Sequence, residues 1–139
     1  MSEIKWAVLG CGVIANEAAA ALKAQGKSLY AVGNRTREKA VSFAEKYGIS
    51  KVYDDFNEMF FDPAVDVIYI TTPHNTHIDF IKKAVENGKH VLVEKSITLS
   101  SAELSEAVAL AEKNGVIIAE AMTIYHMPLY KKLKAVLDG

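Results

Sequence analysis

The sequence predicts an α/β fold: a doubly wound parallel sheet of about six strands, three layers deep with helices on both faces. Three observations predict it. Short β-rich runs alternate with helical stretches along the whole chain. The runs are apolar throughout rather than apolar on alternate residues, as in strands covered on both faces. The stretches between them are long enough for helical crossovers, which makes the strands parallel and the crossovers right-handed.

Trp6 to Leu9 is a compact apolar run stopped by Gly10 and reads as the first strand. Val13 to Ala24 follows as a helix, with Ala18, Ala19, Ala20, Ala21 and Ala24 in it. Alanine has the best helix propensity, and its small side chain lets a helix lie close to a sheet. Gly26 ends this helix, and Leu29 to Val32 is the second strand. Thr36 is the expected N-cap of a helix from Arg37 to Tyr47, with Glu38 in its first turn and Gly48 closing it. Ala40, Val41, Ala44 and Tyr47 recur at helical spacing and form its expected inner face. Lys51 to Tyr53 is a short third strand, and Asp55 caps a short helix through Phe60 that ends near Pro63.

Val65 to Ile70 is the fourth strand. The next helix runs from Thr76 to Asn87, with Ile78, Ile81, Ala84 and Val85 inward and Gly88 as its stop. His90 to Val93 is strand five. Ser100 or Ser101 caps a helix to Asn114, with Glu103 and Glu106 near its start and Gly115 at its end. Val116 to Ala119 is strand six. After Pro128, Leu129 to Leu137 reads as helix, with Leu129, Leu133, Val136 and Leu137 on one side. Two β-α-β-α-β halves in this order predict the strand order 3-2-1-4-5-6, with a ligand cleft beyond the carboxyl ends of the strands where that order reverses.

The 139 residues suffice for one domain with a sizeable core. Half are hydrophobic and 24% are charged, a balance that places the chain among soluble globular proteins. Sixteen basic against 17 acidic side chains leave a net charge of -1, without the basic excess a nucleic-acid partner requires. No apolar run approaches the roughly 20 residues of a membrane helix, so no membrane partner is expected. No basic segment precedes a long apolar one after Met1, so no secretory leader is expected either. Cys11 is the single cysteine and forms no intrachain disulfide, which agrees with a reducing compartment. The expected location is the cytoplasm.

Gly10-Cys11-Gly12-Val13-Ile14-Ala15 is a G-x-G-x-x-A loop between the first strand and the first helix, the context that a dinucleotide-binding loop requires. Gly10 permits the tight turn, Gly12 lets a pyrophosphate approach the backbone, and Ala15 lets the helix pack closely. The N–H groups at Val13 and Ile14, at the helix start, are free to meet phosphate oxygens. These features predict a Rossmann domain. After strand two comes Gly33-Asn34-Arg35-Thr36-Arg37. Neutral Asn34 stands where a carboxylate would hold ribose hydroxyls and repel a 2′-phosphate. Arg35 and Arg37 offer charge-assisted bonds to such a phosphate, and Thr36 a hydroxyl. The expected cofactor is therefore NADP, with NAD as the alternative. Cys11 reads as a small filler rather than a nucleophile.

Thr72-Pro73-His74-Asn75-Thr76-His77 follows strand four at the switch point. Pro73 shapes the turn, Asn75 is placed to meet the nicotinamide ribose, and His77 caps the helix or lines the cleft. His74 and His77 lack a third ligand at matching spacing, so no metal is expected. Glu94-Lys95-Ser96 follows strand five. Lys95 would project over the cleft near the nicotinamide, where an ammonium can polarise a carbonyl or hydrogen-bond an alkoxide. Glu94 would orient Lys95 or bind ribose hydroxyls. Tyr125 and His126 either border the same cleft or anchor the last helix.

The set of motifs resembles the glucose–fructose oxidoreductase, inositol dehydrogenase and MocA-type (Gfo/Idh/MocA) oxidoreductases. The resemblance covers essentially the whole chain. It rests on Gly10-x-Gly12-Val13-Ile14-Ala15, Asn34-Arg35 with Glu38-Lys39-Ala40, Thr72-Pro73-x-x-x-His77, and Glu94-Lys95. Ser96 replaces the proline of the family's Glu-Lys-Pro motif. Ala119 to Met122 and His126 to Pro128 look like the dihydrodiol-dehydrogenase branch, with Tyr125 where an arginine is frequent.

The resemblance implies that residues 1–139 are an NAD(P)-binding domain. It also implies that a C-terminal domain, absent from this chain, covers the active site, builds a homo-oligomer and supplies a histidine acting with the lysine. The expected activity is hydride transfer between nicotinamide and a carbon–oxygen centre of a small-molecule substrate, a sugar, polyol or diol, with Lys95 the catalytic residue of this half. The isolated chain would bind the cofactor without a full substrate site. The rival readings are a non-catalytic NAD(P)-binding redox sensor and, last, an S-adenosylmethionine-dependent methyltransferase, which has no evident use for Glu94-Lys95.

Overall fold

The computed structural model describes residues 3–139; Met1 and Ser2, where the reading for a leader begins, lie outside the described residues. The sheet comprises β1 (Trp6–Leu9), β2 (Ala31–Gly33), β3 (Lys51–Val52), β4 (Val67–Ile70), β5 (His90–Val93) and β6 (Ile118–Glu120). All pairings are parallel and the spatial order is β3-β2-β1-β4-β5-β6, as the sequence predicts. The helices are α1 (Val13–Ala24), α2 (Arg37–Tyr47), α3 (His77–Glu86), α4 (Ser101–Asn114) and α5 (Pro128–Asp138). Short 3₁₀ turns occupy Phe56–Phe60, His74–Thr76 and Thr123–His126.

The pleat sorts side chains onto two faces. Leu9, Ile68, Ile70 and Val93 pack with Ile81, Ala84, Val85, Ala107 and Ala111, so α3 and α4 cover one face. Val8, Val32 and Tyr69 pack with Ala15, Ala19, Ala40, Phe43 and Tyr47, so α1 and α2 cover the other. Each fully buried Leu, Ile or Val side chain among them contributes roughly 1.5–3 kcal/mol. Gly33 ends β2 because nothing larger fits. A Cβ there would lie 2.9 Å from Met59 Cε and 3.0 Å from Phe56 Cβ, so the 3₁₀ turn could not close over the strand end.

The edge where the strands begin is laced with polar links. The buried Lys89 ammonium donates to the carbonyls of Asp62 and Val65 at 2.6 and 2.8 Å. Asp62 accepts from Lys51 Nζ at 2.6 Å and from the Tyr53 hydroxyl at 2.7 Å. The Lys5 N–H meets Asp66 Oδ2 at 2.8 Å, and the Ile117 N–H meets His90 Nδ1 at 3.0 Å.

Caps agree with the sequence in part. Asp55 accepts from the Asn57 N–H, and Ser100 from the Glu103 N–H. Glu103 in turn accepts from the Leu99 N–H at 2.8 Å, a reciprocal cap. Thr36 stands at the N-cap position of α2 but makes no capping bond. Strand limits shift. β2 starts at Ala31 rather than Leu29, since Leu29 is buried against the helical layer and pairing with β1 begins at Ala31. β4 starts at Val67 because the Val65 N–H closes a turn on the Asp62 carbonyl. β6 is Ile118–Glu120 rather than Val116–Ala119, because the Val116 N–H still bonds back to Ala111 in α4. In α2 it is Phe43, with Val41 only half-buried, that joins Ala40, Ala44 and Tyr47 inside.

Candidate functional site

A groove of about 770 Å³ opens at the carboxyl ends of β1, β2 and β4. Gly10, Cys11 and Gly12 line its floor, Asn34, Arg35, Thr36 and Lys39 one end, and Thr71, Thr72 and Pro73 the other. It sits where the strand order reverses, between β1 and β4.

The glycine loop is built for close approach. Gly10 has φ +107°, and a Cβ on it would lie 2.6 Å from Thr71 Oγ1. A Cβ on Gly12 would meet nothing within 4 Å, so the groove is open at that point. α1 starts at Val13 with no side-chain cap and no acidic residue in its first turn. Its first N–H groups and its positive dipole end are therefore uncompensated, next to the groove-lining Gly12, which suits an anionic pyrophosphate. The exposed side chains of Val13 and Ile14 take no part in lining the groove.

Asn16 braces this loop. Its Nδ2 donates to the carbonyls of Cys11 at 3.2 Å and Gly12 at 2.9 Å, while its Oδ1 accepts from the Tyr47 hydroxyl at 2.8 Å. The link spans 31 residues, so nothing local in the sequence reveals it. Burial pushes the Cys11 thiol up to about 11, against the opposing pull of the Lys39 ammonium. A thiol held protonated is a poor nucleophile, in keeping with a packing role.

At the β2 end, Asn34 Nδ2 donates to the Thr36 carbonyl at 2.9 Å, which leaves its carbonyl oxygen as an acceptor. Arg37 does not reach the groove, because its Nε pairs with Asp54 Oδ1 at 2.6 Å. Arg35 and Lys39 are the cations that line it. Lys39 lies in the first turn of α2, three residues past the groove-lining Thr36; that helix start, marked by Thr36, is the signal in the sequence that could have found it.

At the β4 end, Thr72 Oγ1 and Thr76 Oγ1 lie 2.7 Å apart, and the Thr76 hydroxyl also reaches the Pro73 carbonyl at 2.6 Å. Asn75 is exposed and stands outside the groove lining. His77 is fully buried and is the first residue of α3, whose N-cap position Thr76 holds, which corrects the expectation that it caps the helix or lines the cleft. Both its ring nitrogens face backbone carbonyls, those of Ser96 and Thr72.

Glu94 and Lys95 stand one strand further along, at the end of β5 and outside the groove lining. Glu94 is half-buried and accepts from the Tyr69 hydroxyl, so it is held by β4 rather than by Lys95. Lys95 is exposed, and among the described residues its ammonium has no ion-pair partner within 4.0 Å. The peptide bond between Lys95 and Ser96 is cis. Glu120 at the end of β6 accepts from the Ile97 N–H at 2.9 Å and holds the far side of this loop. Tyr125 stacks edge-on against Tyr130 with ring centroids 5.5 Å apart, which favours the anchoring reading over the cleft.

Residues 4–122 match the oxidoreductase family with the NAD-binding Rossmann fold, Gfo/Idh/MocA. The chain belongs to this family. Among its curated relatives is the trans-1,2-dihydrobenzene-1,2-diol dehydrogenase of Xenopus tropicalis, 34% identical over 137 residues, which cover 96% of this chain and 42% of the relative. The Xenopus laevis enzyme of that name is 35% identical with the same coverage. Among solved structures, KijD10, a 3-ketoreductase from Actinomadura kijaniata in complex with NADP and TDP-benzene, superimposes with a TM-score of 0.91 at 28% identity, covering 99% of this chain and 42% of that one. The chain thus spans about two fifths of the length of these family members. No helix among the described residues is long and apolar enough to cross a membrane.

Proposed function

We propose that this chain is the cofactor-binding half of an NADP(H)-preferring oxidoreductase acting on a carbon–oxygen centre of a sugar, polyol or diol. The observation that carries the reading is the composition of the groove's β2 end. Neutral Asn34 replaces the carboxylate that would exclude a 2′-phosphate, and Arg35 and Lys39 are the cations beside it. The diol dehydrogenases and the NADP-bound ketoreductase among the relatives support the same reading.

In this reading the first N–H groups of α1 bind the pyrophosphate, and Asn34 accepts from a ribose hydroxyl. Arg35 and Lys39 hold the 2′-phosphate. Thr72 and Pro73 shape the wall toward the nicotinamide, with Asn75 beyond them. When bound, the nicotinamide supplies or accepts the hydride. Lys95 holds a proton on Nζ, donates it toward a carbonyl oxygen during reduction, and takes it back from the hydroxyl during oxidation. Glu94, fixed by Tyr69, orients the ribose beside it. The part of the family members' length beyond this chain would complete the substrate site and assemble the homo-oligomer, in a cytoplasmic setting.

Calorimetric titration of the chain with NADPH, NADH and S-adenosylmethionine tests this. NADPH should bind most tightly. Arg35→Ala should weaken NADPH by about tenfold or more, the scale of a lost charge-assisted hydrogen bond, and leave NADH almost unaffected. Equal losses for NADPH and NADH would discard the phosphate role. Tightest binding of S-adenosylmethionine would discard the oxidoreductase reading of this groove.

A further inference from the structure

His77 opens α3 and is fully buried. Its Nδ1 lies 2.8 Å from the Ser96 carbonyl oxygen and its Nε2 2.9 Å from the Thr72 carbonyl oxygen. Carbonyl oxygens only accept, so each contact is a hydrogen bond only when the nitrogen facing it carries a proton. The neutral ring donates to one carbonyl at a time, and the doubly protonated ring donates to both.

The two carbonyls belong to different loops. Thr72 follows β4 and lines the groove; Ser96 is joined directly to Lys95 beyond β5. The backbone ladder between these strands reaches as far as the Glu94 N–H on the Ile70 carbonyl, at 3.0 Å. Past that point the Lys95 loop is held by side chains: Glu120 on the β6 side, through Ile97, and His77 on the β4 side.

We infer that His77 is a positioning residue, which sets the Lys95 loop against the cofactor-facing Thr72–Pro73 loop through the carbonyls of Ser96 and Thr72. The catalytic consequence rests on the proposed role of Lys95; the mechanical role does not. A donor at the Nδ1 position holds the lysine loop, and a donor at the Nε2 position holds the cofactor loop. A residue that merely filled space would serve both loops alike.

Two substitutions separate the ties. The side-chain amide nitrogen of His77→Asn falls near Nδ1 and keeps the reach to Ser96. That of His77→Gln falls near Nε2 and keeps the reach to Thr72. Amide hydrogen exchange, followed by NMR on the 139-residue chain, reads each loop separately. The Ile97 N–H, bonded to Glu120, reports on the lysine loop, and the Thr76 N–H, bonded to the Pro73 carbonyl, on the cofactor loop.

In His77→Gln the Ile97 amide should exchange about fivefold faster, the scale of one lost hydrogen bond, with Thr76 unchanged. In His77→Asn the pattern should reverse, and NADPH affinity should fall about fivefold in that variant alone. Equal acceleration of both amides in both variants, or acceleration of neither, would overturn the inference, and so would acceleration confined to one variant, which would mean that the ring donates to one loop alone. Should the variants fail to fold, the native ring decides: a His77 ring proton that exchanges with solvent as fast as those of exposed His74 would overturn it equally. A native chain with this exchange pattern that does not bind NADPH would discard the cofactor reading and leave the positioning role standing.

Discussion

The hydroxyl of Tyr69 donates a hydrogen bond to Glu94 Oε1 and so ties β4 to the residue that follows β5. Burial, and then this bond, hold the phenol well above its usual range. Glu94 is therefore oriented from the neighbouring strand rather than by the adjacent lysine. Tyr69→Phe should cost about 1–2 kcal/mol in urea unfolding, because it leaves the carboxylate short of a donor in a half-buried position. Glu94→Gln keeps an acceptor for the phenol and should cost less. If the two substitutions cost the same, the carboxylate charge is not what the tyrosine serves.

The two loop glycines should fail in different ways. Gly10→Ala combines a positive φ with a Cβ driven to 2.6 Å from Thr71 Oγ1, so it should lower stability by about 2 kcal/mol or more. Gly12 has φ -77° and open space around its Cβ position. Gly12→Ala should therefore unfold within about 0.5 kcal/mol of the native chain, yet weaken NADPH by at least about tenfold, as the methyl occupies the space a pyrophosphate would enter. Thermal unfolding beside calorimetric titration checks both. Unchanged affinity in Gly12→Ala would mean that the phosphates do not pass over this residue.

Asp62 makes stability depend on acid. Burial opposes its charge, but the Lys51 ammonium, the Ala64 N–H and the Tyr53 hydroxyl outweigh that and bring its carboxyl down to about 2. A carboxyl held below its unfolded value stabilises the fold above that value, near pH 4, and loses the contribution as pH falls toward 2. The amount at stake is about 2 kcal/mol. Urea unfolding from about pH 6 downward should show this loss in the native chain and a flatter profile in Asp62→Asn. Parallel profiles would assign the acid sensitivity to other carboxylates.

Cys11 should be slow to alkylate. With its thiol pushed up to about 11 by burial, iodoacetamide near pH 8 should react at roughly a hundredth of the rate of a free cysteine. Because Cys11 lines the groove, NADPH should slow the reaction further. Fast alkylation would show that the loop opens often enough to expose the sulfur.

The fold was legible because glycine punctuation and apolar runs are local signals. Gly10, Gly48, Gly88 and Gly115 all adopt positive φ at the turns the sequence marks. Strand limits were less so. Leu29 and Val116 are as apolar as true strand residues, and only the partner strand decides where pairing starts. In the site, the glycine loop and the residues after β2 and β4 were visible from position. The direction of a side chain was not. His77 turns inward to two carbonyls, Arg37 turns aside to Asp54, and Glu94 turns to Tyr69, each through a partner that only the register brings near.

Lys89, Asp62, Lys51 and Tyr53 lock the edge where the strands begin, while the groove opens at the edge where they end. The molecule therefore has a structural pole and a chemical pole, on opposite ends of the same strands. Substitutions near the first should lower the amount of protein that survives in a cell, whereas many near the second should leave abundance intact and alter what is bound. Apart from turn residues such as Gly10, the chemical pole is thus the part of this scaffold that can diverge toward new ligands at least risk to the fold.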